Sequence, residues 1–280
     1  MEINRIVAGI DLGPDTEKVL AYAAAFAGIS GASVNLIYAL DYLITPPAYL
    51  IPYVEGEKSA AAGKMGTWEK LLNDAGVRTR KDVISGRLCE AFESAVKARG
   101  ADMLVVGFGT HALRRSSSEK LIKGIGIPTL VAKGDKTGSA KIGSVAVRDI
   151  LCPVDFSEAS DRALEAASQL TIAFSSQLKV LHVLPVSVIM EKLTPLKDRA
   201  MKELMGQARD RLDRLQPGPE TESIIDEGEP YRRIASFASE RDIDLIVMGA
   251  RGQSPIKNIS IGSVTEAVLK SSPCPVLIIR

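Results

Sequence analysis

Four small residues carry the most chemistry in this chain: Gly249, Gly252, Gly262 and Ser263, spaced G-x2-G-x9-G-S. Glycines at such spacing let backbone N–H groups approach an anion with no Cβ in the way. They follow an apolar run, Ile243 to Val247, whose lack of polar alternation predicts a buried parallel strand. Ser263 and Glu266 have the S-x-x-E spacing of a capping box, with Val264, Ala267 and Val268 on one side of the helix it opens. A strand end, two glycines, a loop and a helix N-terminus together make a phosphate-binding arrangement, because the helix end adds positive potential. Each residue alone has a plainer reading as turn or cap; only the combination points to an anion. The spacing is neither G-x4-G-K-[ST] nor G-x-G-x-x-G, and neither of those occurs in the sequence.

The elements that must hold this loop are spelled twice. Ile6 to Ile10 is a short apolar run ending in Asp11, and Ile150 to Val154 ends likewise in Asp155. LKVLHVL matches ASVNLIYAL, and DIDLIVMG matches ADMLVVG. Strands are expected at Val34 to Leu40, Thr79 to Ile84, Ala101 to Val106, Thr129 to Ala132 and Val276 to Ile279. Helical spacing recurs between them: Val19, Ala23, Phe26 and Ala27 share a face, as do Ala91, Phe92, Ala95 and Val96, and Leu204, Ala208, Leu212 and Leu215. Further helical patterns run over Ala163–Phe174 and Ala200–Leu215, and Pro230 after Gly228 marks a helix start. Each half therefore reads β-α-β-α-β-α-β-α-β, which predicts an α/β fold: two tandem doubly wound, five-stranded parallel-sheet (Rossmann-like) domains. In such sheets ligands bind beyond the carboxyl ends of the strands, where the strand order switches. Asp155 and Gly249 both fall at strand ends, so residues far apart in sequence converge on one crevice.

A polar Gly- and Lys-rich stretch, Lys133 to Lys141, separates the halves and sets the expected domains at 1–133 and 145–280 with a linker at 134–144. One segment breaks the pattern. Asp41 to Glu57 holds three tyrosines and three prolines and is expected to be an irregular hydrophobic loop, with a helix starting only near Ser59.

Composition narrows the classes. The chain has 280 residues, 46% hydrophobic and 25% charged, with a formal net charge of +1, so nothing favours nucleic acid or an anionic membrane as partner. Cys89, Cys152 and Cys274 form no C-x-x-C, and no apolar run is long enough to span a bilayer, which fits a reducing, cytoplasmic setting. His111 and His182 are too few and too separated for a zinc site and are expected to be buried or incidental.

The glycine pattern after a buried strand, with CPVDFSEAS and LHV upstream, resembles the universal stress protein family, and the resemblance covers nearly the whole chain as two copies. It implies an ATP site in the second copy. Pro153, Val154 and Asp155 would line the base and ribose side, and Val183 would present backbone groups to adenine. Met248, Gly249, Arg251, Gly252, Gly262, Ser263, Val264 and Thr265 would enclose the ribose and phosphates. The resemblance also implies Mg2+ bridging the phosphates, and a pseudo-dimer of the two halves through their last strands. Whether ATP, ADP or AMP is held, which protein reads the state, and whether chains form homodimers stay open.

The first copy departs from the pattern. Asp11 is kept, but Gly107-Phe108-Gly109 replaces G-x2-G. Aligning Ser116-x-x-Glu119 with Ser263-x-x-Glu266 gives nine steps from Gly107 to Ser116, against fourteen from Gly249 to Ser263. Arg115 then stands where Gly262 does, so one nucleotide per chain is expected. The functional readings are an ATP-dependent regulatory protein of the stress response, a slow ATP hydrolase, or a nucleotide-free scaffold. Efficient phosphoryl transfer needs a residue aimed at the attacking nucleophile. Arg251 and Lys257 supply charge, but no catalytic residue is evident.

Overall fold

The structure, a computed structural model, describes residues 1–41, 50–108, 117–134, 140–185, 194–215, 221–252 and 261–280. It divides into two compact units, Glu2–Ala146 and Val147–Arg280.

In the first unit, β1 (Arg5–Ile10), α1 (Thr16–Ser30), β2 (Ser33–Asp41), α2 (Ile51–Asp74), β3 (Thr79–Gly86), α3 (Leu88–Arg99), β4 (Met103–Gly107), α4 (Ser117–Gly124) and β5 (Thr129–Ala132) alternate along the chain. The second unit repeats this with β6 (Asp149–Pro153), α5 (Glu158–Phe174), β7 (Gln177–Leu184), α6 (Thr194–Leu215), β8 (Glu222–Glu227), α7 (Pro230–Glu240), β9 (Leu245–Gly249), α8 (Ser263–Ser271) and β10 (Val276–Ile279). The sheets are parallel, ordered β3-β2-β1-β4-β5 and β8-β7-β6-β9-β10. The order reverses between β1 and β4, and again between β6 and β9. A crevice opens at each switch because the neighbouring connections leave to opposite faces.

The strands are buried because helices cover both faces, so their sequences are continuous apolar runs. Ile6, Leu104, Val105, Leu130 and Val131 are wholly buried in one unit, as are Ile150, Leu151, Ile246, Val247 and Leu277 in the other. The repeat extends to polar detail. Asp102 accepts from the backbone N–H groups of Asn4 and Arg5, at 2.8 and 2.9 Å, tying β4 to the start of β1. Asp244 does the same for Arg148 and Asp149, at 2.8 and 3.1 Å. After the first strand of each unit, Leu12 (φ 59°) and Phe156 (φ 61°) both enter the left-handed region.

Two expectations need correction. α2 starts at Ile51, not near Ser59, because Pro52 sits in the first helical turn, where its missing N–H costs nothing. Residues 42–49 of the tyrosine- and proline-rich segment lie outside the described residues. The α6 stripe is narrower than its periodicity predicts: Ala208 and Leu212 are buried, but Leu204 is exposed. The cysteines are free thiols, with Cys152 and Cys274 buried, and among the described residues no helix is long and apolar enough to cross a membrane.

Candidate functional site

β6 delivers Asp155 to the switch point. The strand ends at Pro153, and Val154 N–H still donates to Leu181 O at 2.9 Å before the chain turns away. Asp155 Oδ1 then accepts from Ser157 N–H at 3.1 Å and from Ser157 Oγ–H at 2.6 Å. Ser157 is the N-cap of α5, its Oγ accepting from Ser160 N–H at 3.3 Å. The aspartate is thus held by the helix start that follows it, and its Oδ2 faces Gly252: a Cβ there would lie 2.3 Å away.

On the other side of the switch, β9 delivers Met248 and Gly249. A Cβ on Gly249 would meet the Ala159 backbone at 2.8 Å, so only glycine lets β9 pass this close to α5. Ala250 N–H donates to Ile279 O at 2.7 Å, and Gly262 N–H donates to Ala250 O at 2.8 Å, which ties the start of α8 to the end of β9. Thr265 Oγ1–H reaches back to Gly249 O at 3.0 Å and pins α8 to the strand end.

The helix start differs from the predicted capping box. Gly262 is the N-cap (φ −70°, ψ 156°), its carbonyl accepting from Glu266 N–H at 2.9 Å, and no side chain caps the helix. Ser263 is the first helical residue, and Glu266 pairs with Lys270 at 2.9 Å. The buried face is Thr265, Val268 and Leu269, with Val264 and Ala267 only half-buried. Among the described residues no side chain caps the first turn of α8, whose Ser263, Val264 and Thr265 line the cleft, so its N–H groups are left without helical partners. Positive charge sits at the same end: burial, and then the Arg251 guanidinium, hold Arg280 below its ordinary value.

These elements enclose a cavity of about 330 Å³. Pro153, Val154, Asp155, Val183, Met248, Gly249, Arg251, Gly252, Gly262, Ser263, Val264 and Thr265 all line it, so every site residue expected from the sequence falls on one surface. Residues 253–260, Lys257 among them, lie outside the described residues. Ser160, Leu181, His182, Pro185, Pro230 and Ile234 also line the cavity and were not expected there. Pro230 and Ile234 open α7 beyond the carboxyl end of β8, a position the Gly228-x-Pro230 signal does mark. His182 is half-buried. Its Nδ1 lies 2.8 Å from Val154 O, and burial is the main cause holding its pKa below the ordinary 6.5.

The first unit offers an internal comparison. Counting from the paired aspartates, Gly9 is the counterpart of Pro153; counting from Gly86 and Gly228, both at positive φ, Phe92 is the counterpart of Ile234. Phe92 is buried, and a Cβ on Gly9 would lie 3.1 Å from its ring. A ring therefore occupies the side of the crevice that Pro153 and Ile234 leave open. Asp11 Oδ1 accepts from Gly13 N–H at 2.9 Å, much as Asp155 accepts from Ser157. Gly109, Arg114, Arg115 and Ser116, the shortened loop, lie outside the described residues; Glu119 pairs with Lys123 at 3.1 Å.

A model of the universal stress protein family matches residues 2–133 and 146–280. The chain belongs to that family. Individual relatives span about half of this universal stress protein and nearly all of their own length. The universal stress protein YxiE of Bacillus subtilis is 32% identical over 147 residues, spanning 47% of this chain and 97% of its own. The universal stress protein MJ0577 of Methanocaldococcus jannaschii is 27% identical over 157 residues, 49% of this chain and 97% of its own. Over the full length, the fold matches a crystal structure of a universal stress protein from Archaeoglobus fulgidus, with a TM-score of 0.73 at 21% identity, covering 100% of this chain and 99% of that one.

Proposed function

We propose that the second unit binds one ATP with Mg2+, and that occupancy sets the state in which this stress-response protein meets a protein partner. The observation that carries the reading is the start of α8. An uncapped helix N-terminus, approached through Gly249, Gly252 and Gly262, opens on a cavity whose other end is apolar. Backbone N–H groups and helix dipole suit phosphates. Val154, Leu181, Val183, Pro230, Ile234 and Met248 suit a planar base. Arg251 adds charge at the phosphate end, and Asp155 Oδ2 supplies an acceptor for ribose hydroxyls.

The residues fit a nucleotide better than a metal bound by protein alone. Among the described residues no group of three or more His, Cys, Asp or Glu side chains is placed to hold a cation, so Mg2+ would be held chiefly by the phosphates it bridges. ADP or AMP would use the same contacts with fewer phosphates. One site per chain is favoured because Phe92 fills the matching crevice of the first unit and the glycine pattern there is missing.

Mass spectrometry of small molecules released from the purified protein should show an adenine nucleotide. ATP·Mg2+ should bind the wild type and fail to bind Gly262→Val, which should stay folded with its melting temperature lowered by no more than a poorer N-cap costs. Equal affinity in a folded Gly262→Val protein would remove the site.

A further inference from the structure

His182 lines the cavity and is tied to the turn that follows β6. Val154, the last residue before Asp155, has its N–H bonded to Leu181 O at 2.9 Å and its carbonyl 2.8 Å from His182 Nδ1. A carbonyl only accepts, so Nδ1 carries the proton and the neutral ring keeps Nε2 as an acceptor. The same imidazole packs on Phe156, ring centroids 4.4 Å apart at 42°. Arg211 of α6 lies over that phenyl ring, 4.0 Å from its centroid. Phe156 itself holds a left-handed backbone (φ 61°), a conformation that persists in a bulky residue only when its surroundings fix it. Burial first, and then the Arg211 charge, favour the neutral imidazole, while the Val154 carbonyl and Asp155 act the other way.

One aromatic ring thus joins the turn that carries Asp155 to a helix outside the cavity. Among its described side chains, α6 is also seated here by buried Ala208 and Leu212, Arg209 donates to Ser223 O at 3.3 Å, and Leu204 is exposed. We propose that the His182–Phe156–Arg211 column couples nucleotide occupancy of the cleft to the seating of α6, with His182 as the positioning residue for the Val154–Asp155–Phe156 turn. This rests on the nucleotide reading of the same cleft. A ligand held against Val154 and Asp155 fixes the two residues before Phe156 and so fixes the ring on which Arg211 sits. The ligand shifts α6 because it binds the ordered turn better than the loose one. α6 then presents a different surface to a partner with and without nucleotide.

Hydrogen–deuterium exchange of the full chain, with and without ATP·Mg2+, tests this with two internal reporters. Peptides covering 249–265 report occupancy, and peptides covering 194–215 report α6. In the wild type both should gain protection, α6 by about fivefold, the low end of ordinary coupling between sites. In Arg211→Ala, a residue outside the cavity, the occupancy peptides should be protected as before and the α6 gain should vanish. In a His111→Gln background, which leaves one histidine, the His182 ring nitrogen resonances should move on ATP addition with the Nδ1–H tautomer retained. Protected occupancy peptides with unchanged α6, an α6 gain that survives Arg211→Ala, or unmoved His182 resonances would each overturn the coupling. Absence of protection at 249–265 would instead remove the nucleotide reading, and the coupling with it.

Discussion

A Cβ placed on Gly249 would lie 2.8 Å from the backbone carbon and oxygen of Ala159, neither of which belongs to a flexible side chain. Gly249→Ala should therefore destabilise the fold by about 1–3 kcal/mol, read as a lower melting temperature with or without ligand. At Gly252 the obstacle is the Asp155 carboxylate, 2.3 Å away, on an exposed stretch of backbone. Gly252→Val should leave stability nearly unchanged but turn Asp155 aside. Losing hydrogen bonds to a charged group is worth about 1.5–3 kcal/mol, roughly 10- to 100-fold in nucleotide affinity by calorimetry. Gly262 has the most room of the three, its nearest neighbours being 3.6 Å from a would-be Cβ, so on the proposed nucleotide reading its requirement would come from the ligand's side. The motif could be read from the sequence, but this division of labour could not. Spacing names the glycines; only the packing of α5 against β9 says which one the fold needs.

The start of α5 joins helix stability to the site. Ser157 caps the helix and also donates to Asp155 Oδ1 at 2.6 Å. Ser157→Ala should cost about 1 kcal/mol of stability, measured by denaturant unfolding, and should weaken nucleotide binding by freeing Asp155. β7 contributes a pH dependence through His182. Its folded pKa is depressed below the ordinary 6.5, so its contribution to stability is fully present above 6.5. As pH falls below that value the unfolded chain takes up the proton first, and stability drops until the folded pKa is passed. His182→Gln should flatten this part of the stability–pH curve between the two values. The helix α8 start was misread because S-x-x-E spacing is a local signal, whereas Thr265 bonding to Gly249 O and Glu266 pairing with Lys270 are settled by tertiary packing and by the helix surface. α2 was cut short for a related reason: Pro52 looks like a breaker until it is known to stand in the first turn.

At the scale of the molecule, duplication explains why the fold was legible and the asymmetry only partly so. Strand-end Asp11 and Asp155, the Asp102 and Asp244 straps and the left-handed Leu12 and Phe156 are the same solutions written twice. The lost glycines of the first copy can be seen in its sequence. The role of Phe92 cannot, since a buried phenylalanine on a helix face reads as ordinary core until Gly9 is found beneath its ring. On the proposed reading each chain binds one nucleotide, held by the second unit. Titration calorimetry with ATP and Mg2+ tests it most directly. A stoichiometry near one, with all heat lost in Gly262→Val, is the predicted result; two sites of similar affinity, or heat that persists in a folded Gly262→Val protein, would contradict it.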